Sequence, residues 1–161
     1  IDLYPKPLDV FIKEKKEKFD IISFFTVLEH MVDPMKSLKI ANSILKKNGI
    51  IVIDVPNYNS VSTYVQKLKP NNIRHLVPHV HIMMFSQKSL EYALKKSGFR
   101  PIAIWYWGMD IIELINFISK NNPDFKNSQL SDVLIRQANK IQRNFDKEKI
   151  SDEILIIGEK I

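Results

Sequence analysis

FDIISFFTVLEHMVDPMKSLKIANSILKKNGIIVIDVPN, residues 19–57, reads as one strand, helix, strand unit. Residues 21–25 are a continuous apolar run between Asp20 and Thr26, the pattern of a strand covered on both faces in a parallel sheet. Asp33 and Pro34 place an N-cap and a first-turn proline together, and Met35, Leu38, Ala41, Ile44 and Leu45 recur on one helical face. Lys46 and Lys47 suit the negative end of that helix, and Gly49 is expected to take the left-handed conformation that ends it. Residues 50–55 then form a second buried strand, stopped by Pro56. With the two strands parallel and adjacent, the polar groups of TVLEH and PNY fall at one end of the sheet, where open α/β sheets bind ligands.

Upstream, residues 1–3 fit the tail of a strand, Pro5 and Pro7 force an extended turn, and residues 8–18 read as a short polar helix. Downstream, residues 58–68 read as a helix, and residues 69–78 carry too many breakers to be regular. Ser86 caps a further helix with Leu90, Ala93 and Leu94 on its apolar stripe, and Gly98-Phe99 supplies its glycine stop. Residues 102–107 are β-branched and aromatic, hence a strand. Asp110 and Glu113 make a capping-box-like start for a helix over 111–120, ended by Asn121-Asn122-Pro123. Leu130, Leu134, Ala138, Ile141 and Phe145 mark a long amphipathic helix, and residues 153–158 are a last strand. The alternation predicts an α/β fold with a mainly parallel sheet and right-handed crossovers.

Composition narrows the function. At 161 residues with 45% hydrophobic content, the chain suits one domain, residues 1–161. The absence of cysteine excludes disulfides, thiolate metal sites and a cysteine nucleophile. No apolar run approaches the roughly 20 residues that cross a bilayer, and no signal-peptide layout is present. The expectation is a cytoplasmic protein with no membrane partner. The net charge of +6 comes largely from mixed runs, KEKKEK at 13–18 and DKEK at 146–149, which are ordinary solvated surface. Without an arginine-rich stripe, a basic nucleic-acid binder stays a third, weaker reading. Because the chain opens on Ile1 and enters structure almost at once, it is expected to be part of something longer.

Four pieces together, FDIISFFTVLEHMVDP (19–34), LKKNGIIVIDVPN (45–57), HIMMFSQKSLEYALKKSGF (81–99) and ILIIGEK (154–160), resemble the C-terminal two-thirds of a class I S-adenosylmethionine-dependent methyltransferase. The resemblance implies a partial Rossmann-like sheet. Residues 19–25 would be the family's fourth strand, 50–55 the fifth, 102–107 the sixth and 153–158 the antiparallel seventh, in sheet order 4-5-7-6 with helices on both faces. Residues 108–150 would be a two-helix insertion before the last strand, whose apolar stripe needs a partner. The family's N-terminal glycine-rich cofactor motif has no counterpart, since glycine occurs only at 49, 98, 108 and 158. Asp2, with 16 residues between it and Phe19, is placed after the third strand, where the family's acidic residue lies near adenine. The implied cofactor is S-adenosylmethionine, bound poorly by this chain alone.

Methyl transfer is an in-line displacement that needs alignment and, for a hydroxyl or carbon acceptor, a base. By resemblance, Thr26, Val27, Leu28 and His30 run alongside the cofactor. The plainer alternative has Glu29 and His30 capping the following helix. Asn57 could orient the acceptor, or form an Asx turn that ends its strand. His75, His79 and His81 give an HxxxHxH spacing, but Pro78 breaks any helix that would align the first pair, so no metal is assigned. His81 matches the family's histidine ahead of the FS-x-x-SL helix and is the expected general base, with His79 second. Arg74 could bind an anionic acceptor or be solvated. Trp105, Tyr106 and Trp107 could offer a stacking surface, but alternate members of a strand more often fill a core. Met83, Met84 and Met109 read as packing. The resulting expectation is a methyltransferase acting on a small-molecule acceptor, a sugar or cell-surface precursor, in a homo-oligomer. Its alternative is a non-catalytic module that self-associates through the exposed edge of its first strand. The acceptor atom and the role of 108–150 stay open.

Overall fold

In the computed structural model, which describes residues 3–68 and 81–161, the apolar runs become strands β1 (Phe19–Phe25), β2 (Leu45–Pro56), β3 (Phe99–Trp107) and β4 (Glu153–Lys160). They form one sheet in the order β1-β2-β4-β3. β1 and β2 run parallel, Ile22 beside Ile51 and Phe24 beside Ile53. β4 lies antiparallel between β2 and β3. This is the sheet that the four motifs imply, and it sets the ends of β1 and β2 side by side.

The described α-helices are α1 (Leu8–Glu14), α2 (Pro34–Ile44), α3 (Val61–Leu68), α4 (Gln87–Lys96), α5 (Asp110–Asn121) and α6 (Gln129–Lys147). The core is made on one face of the sheet. Ile51, Ile53 and Val55 of β2 and Ile154 and Ile156 of β4 meet Leu38 and Ala41 of α2 and Leu90, Ala93 and Leu94 of α4. Each such large side chain is almost fully removed from water, a gain of about 1.5–3 kcal/mol apiece before entropy is counted. Local signals hold where they are strongest. Asp33 accepts the Lys36 amide at 2.8 Å, Ser86 and Ser89 form a reciprocal capping box, and Gly98 takes φ +81° behind α4.

Several expectations are corrected. Residues 8–18 are not all helix: α1 stops at Glu14, and Lys15 is extended. Gly49 does not end α2. That helix stops at Ile44, residues 46–49 swell out of β2 between the Leu45 and Ile50 pairings, and Asn48 takes the positive φ of 60°. Gly49 is needed for space instead, since a Cβ there would lie 2.9 Å from the Lys46 carbonyl oxygen and 3.2 Å from that of Asp20. β1 is not covered on both faces, because Ile22 and Phe24 turn to the core while Ile21 and Phe25 are exposed. The helical cover is therefore uneven. On that less covered face Trp105 and Trp107 are also exposed, whereas Tyr106, which points to the other face, is buried.

Asp110 is not a helix cap either. Met109 holds the N-cap position of α5 without a side-chain bond, and the buried Asp110 carboxylate accepts the amides of Ser62 and Asp152 and the side-chain amide of Gln142. The apolar stripe of residues 108–150 finds its partner internally: Ile111 and Ile115 of α5 pack with Leu134, Ala138, Ile141 and Phe145 of α6. No helix among the described residues is long and apolar enough to cross a membrane.

Candidate functional site

Three segments meet beyond the carboxyl ends of β1 and β2. The first leaves β1 at Thr26, whose amide donates to the Asp54 carbonyl at 2.9 Å and whose hydroxyl donates to Phe25 O. Thr26 has φ 50°, and that left-handed residue turns the chain off the strand into a single 3-10 turn, Leu28–His30. Short turns of this kind project successive side chains in different directions. Val27 and His30 are exposed, and Leu28 and Glu29 between them are buried. Leu28 packs in the core, and its backbone lies at the rim.

The second segment leaves β2 at Pro56. Asn57 is buried, its Nδ2 donates to Ser151 O at 2.8 Å and its Oδ1 accepts the Asn59 amide at 3.0 Å. The latter bond is the Asx turn. The side chain thus ties the strand end to the turn that enters β4, with its amide engaged at both ends. The third segment, residues 81–85, runs across both exits. The Met83 amide donates to Glu29 O at 3.1 Å, and the Tyr58 amide donates to Phe85 O at 2.8 Å, with Asn57 and Phe85 paired as a parallel bridge. This brings His81 to His30, ring centroids 4.9 Å apart and planes inclined at 55°.

Between these two imidazoles and the core lies Glu29. Its side chain is 1% exposed, its Oε1 is 3.6 Å from His30 Nε2, and neither carboxylate oxygen has a hydrogen-bond partner in another described residue. One ligand atom from each of Glu29, His30 and His81 falls within 4.8 Å of the others. Burial pushes the Glu29 carboxyl above the usual range, and its own amide and the two imidazoles offset that only in part. Asp54, buried one strand away, is also held above the usual range by burial, with the Trp107 indole N–H donating to it at 3.2 Å and pulling the other way. A carboxylate flanked by two imidazoles can hold a cation, bind an O–H or N–H group, or pass a proton.

Of the residues singled out in the sequence, Thr26, Val27, His30 and His81 gather at this rim. Asp2 and His79, like Arg74 and His75, lie outside the described residues. Glu29, for which the sequence offers only a turn-capping alternative, joins the cluster through its contact with residues 81–85. The available signal was a carboxylate between apolar Leu28 and Met31 with no lysine or arginine in the turn.

The sequence model of a family described as "Methyltransferase domain" matches residues 4–104. Among solved structures, an S-adenosylmethionine-dependent methyltransferase from Archaeoglobus fulgidus is similar over 96% of this chain and 66% of its own, at 19% identity and TM-score 0.55. One from Thermotoga maritima is similar over 91% of this chain and 58% of its own, at 18% identity and TM-score 0.54. The cyclopropane synthase MmaA2 from Mycobacterium tuberculosis is similar over 92% and 57% respectively, at 11% identity and TM-score 0.51. At these identities the likeness is one of fold. The chain spans less than two thirds of each of these proteins. No curated protein matches its sequence.

Proposed function

We propose, from the premise that this chain belongs to the methyltransferase-domain family, that it forms the acceptor side of an enzyme that methylates a small molecule. The family's cofactor is S-adenosylmethionine. When bound, it supplies an electrophilic methyl group on a sulfonium that leaves without an acid. The single observation that carries the reading is the shared rim: β1 and β2 run parallel as neighbours, and the turn after β1 meets His81 there.

The residues present fit one wall of the cofactor. The left-handed Thr26 leaves Val27 exposed at the strand end, an apolar surface beside which the cofactor could lie. The amide and hydroxyl of Thr26 are already used within the chain, so neither is offered to a ribose or carboxylate. Val27, the backbone at Leu28 and the ring of His30 would flank the cofactor. His30 and His81 would face the acceptor and fix its orientation, which is most of what an in-line displacement asks of a protein. Asn57 acts through the fold, by holding the end of β2. A sugar or a cell-surface precursor is the acceptor class we favour, on analogy of fold alone.

Calorimetric titration of S-adenosylmethionine into this chain and into the natural full-length protein tests the reading. Binding, with methyl transfer that falls when His81 becomes Ala, is the expected result. Absence of binding in both forms would sink it. A second reading, self-association, is favoured by one observation: β1 is an edge strand of the described sheet, with Ile21 63% and Phe25 54% exposed.

A further inference from the structure

We propose that Glu29, His30 and His81 form a binding site for a divalent transition-metal cation. The argument starts from Glu29. A carboxylate that is 1% exposed with neither oxygen bonded to another described residue is a rare arrangement, because removing a charge from water without a partner is costly. The side chain has little freedom to escape. Leu28 before it is locked in the core, and the Glu29 carbonyl is held by the Met83 amide at 3.1 Å. Nor does His30 satisfy it: at 3.6 Å their separation exceeds the roughly 2.7–3.2 Å of an N–H···O bond.

A cation between the three groups resolves this. Two imidazole nitrogens and one carboxylate oxygen are a common donor set for Zn²⁺, Mn²⁺, Fe²⁺ or Co²⁺, and leave coordination positions for water or an oxygen-bearing ligand. With metal–ligand bonds of about 2.0–2.2 Å, donors around one ion sit roughly 3–3.4 Å apart. The present limit of 4.8 Å therefore calls for a closure of about an ångström or so, within reach of rotating side chains. Glu29 supplies the fixed anchor. The exposed His30 and the half-buried His81 supply the two nitrogens. The absence of cysteine and the two imidazoles argue against a soft thiolate ion and against an all-oxygen Ca²⁺ or Mg²⁺ cage.

This inference shares the location, but not the chemistry, of the proposed methyl transfer. A nitrogen that ligates a cation has no lone pair left to take a proton, so His81 moves from general base to ligand. The open coordination positions would hold an acceptor that carries oxygen or nitrogen donors.

The test uses the whole chain, stripped with chelator and titrated calorimetrically with Zn²⁺ and with Mn²⁺, alongside the visible spectrum of its Co²⁺ form. One ion per chain is expected, with Glu29→Gln, His30→Ala and His81→Ala each weakening binding at least roughly tenfold, the loss typical even of outer-sphere changes. Glu29→Gln removes a buried unpaired charge and so should leave thermal stability intact, which separates lost ligation from lost folding. No stoichiometric binding, or undiminished affinity in Glu29→Gln, would overturn the proposal. So would loss of binding in His75→Ala with His79→Ala but not in the three named variants. Methyl transfer is measured in the same samples. Ion binding with no S-adenosylmethionine binding in either this chain or the full-length protein would defeat the methyltransferase reading alone, and transfer indifferent to chelator with no ion bound would defeat the cation reading alone.

Discussion

Asp54 follows the apolar run 50–53 of strand β2 and accepts the Trp107 indole N–H at 3.2 Å, yet burial still holds its carboxyl above the usual range. The folded state therefore binds the proton more tightly than the unfolded chain. The stability Asp54 contributes is present in full below the unfolded value, about pH 4, and is lost as pH rises through the folded value. Asp54→Asn keeps an acceptor for the indole and removes the charge. Urea midpoints measured from pH 4 to 7 should show the variant gaining on the parent as pH rises; parallel curves would refute the assignment. Glu29 and Asn57 make the same point about single residues. One is a carboxylate at the rim bonded to no other described residue, the other an amide engaged at both ends, and nothing in the flanking letters separates the two cases.

Elements are joined here by a few buried polar contacts between distant parts of the chain. Asp110 opens α5, but its Oδ1 accepts the Ser62 amide at 3.0 Å and its Oδ2 accepts the Asp152 amide at 2.9 Å and Gln142 Nε2 at 3.1 Å. One side chain thus ties α5 to the start of α3, to α6 and to the turn into β4. Asp110→Ala orphans buried donors, and we expect a loss of about 2–5 kcal/mol. Asp110→Asn, which keeps one acceptor, should lose less. Denaturant unfolding of both variants checks this, and an alanine cost below about 0.5 kcal/mol, the level of an ordinary surface change, would contradict it. The spacing of Asp110 and Glu113 looked like a cap because caps are local, whereas the partners that claim Asp110 lie 48, 32 and 42 residues away. By contrast the caps of α2 and α4 were legible, since donor and acceptor sit three residues apart.

At the scale of the molecule the sheet is covered unevenly. α2 and α4 bury one face, while Ile21, Phe25, Trp105 and Trp107 are exposed on the other. An uncovered apolar edge strand is a template for pairing. In self-association through β1, Ile21→Lys with Phe25→Lys should shift sedimentation toward monomer and leave unfolding little changed. A parent protein that sediments as monomer at all concentrations would end that reading.

The order of elements, the parallel pair and the end of the sheet that carries the rim were legible in residues 19–57 and the three later motifs, because hydrophobic period, caps and glycine stops are short-range signals that the backbone obeys locally. Burial of β1 on one face only, the swelling at residues 46–49, the clamp at Asp110 and the meeting of Glu29, His30 and His81 were not. Each depends on which distant segment packs against a side chain, and an apolar run or a polar residue reads the same whether that neighbour is there or not. For Glu29 the deciding neighbour is residues 81–85, whose bond to the Glu29 carbonyl sets His81 beside a carboxylate some fifty positions earlier in the chain.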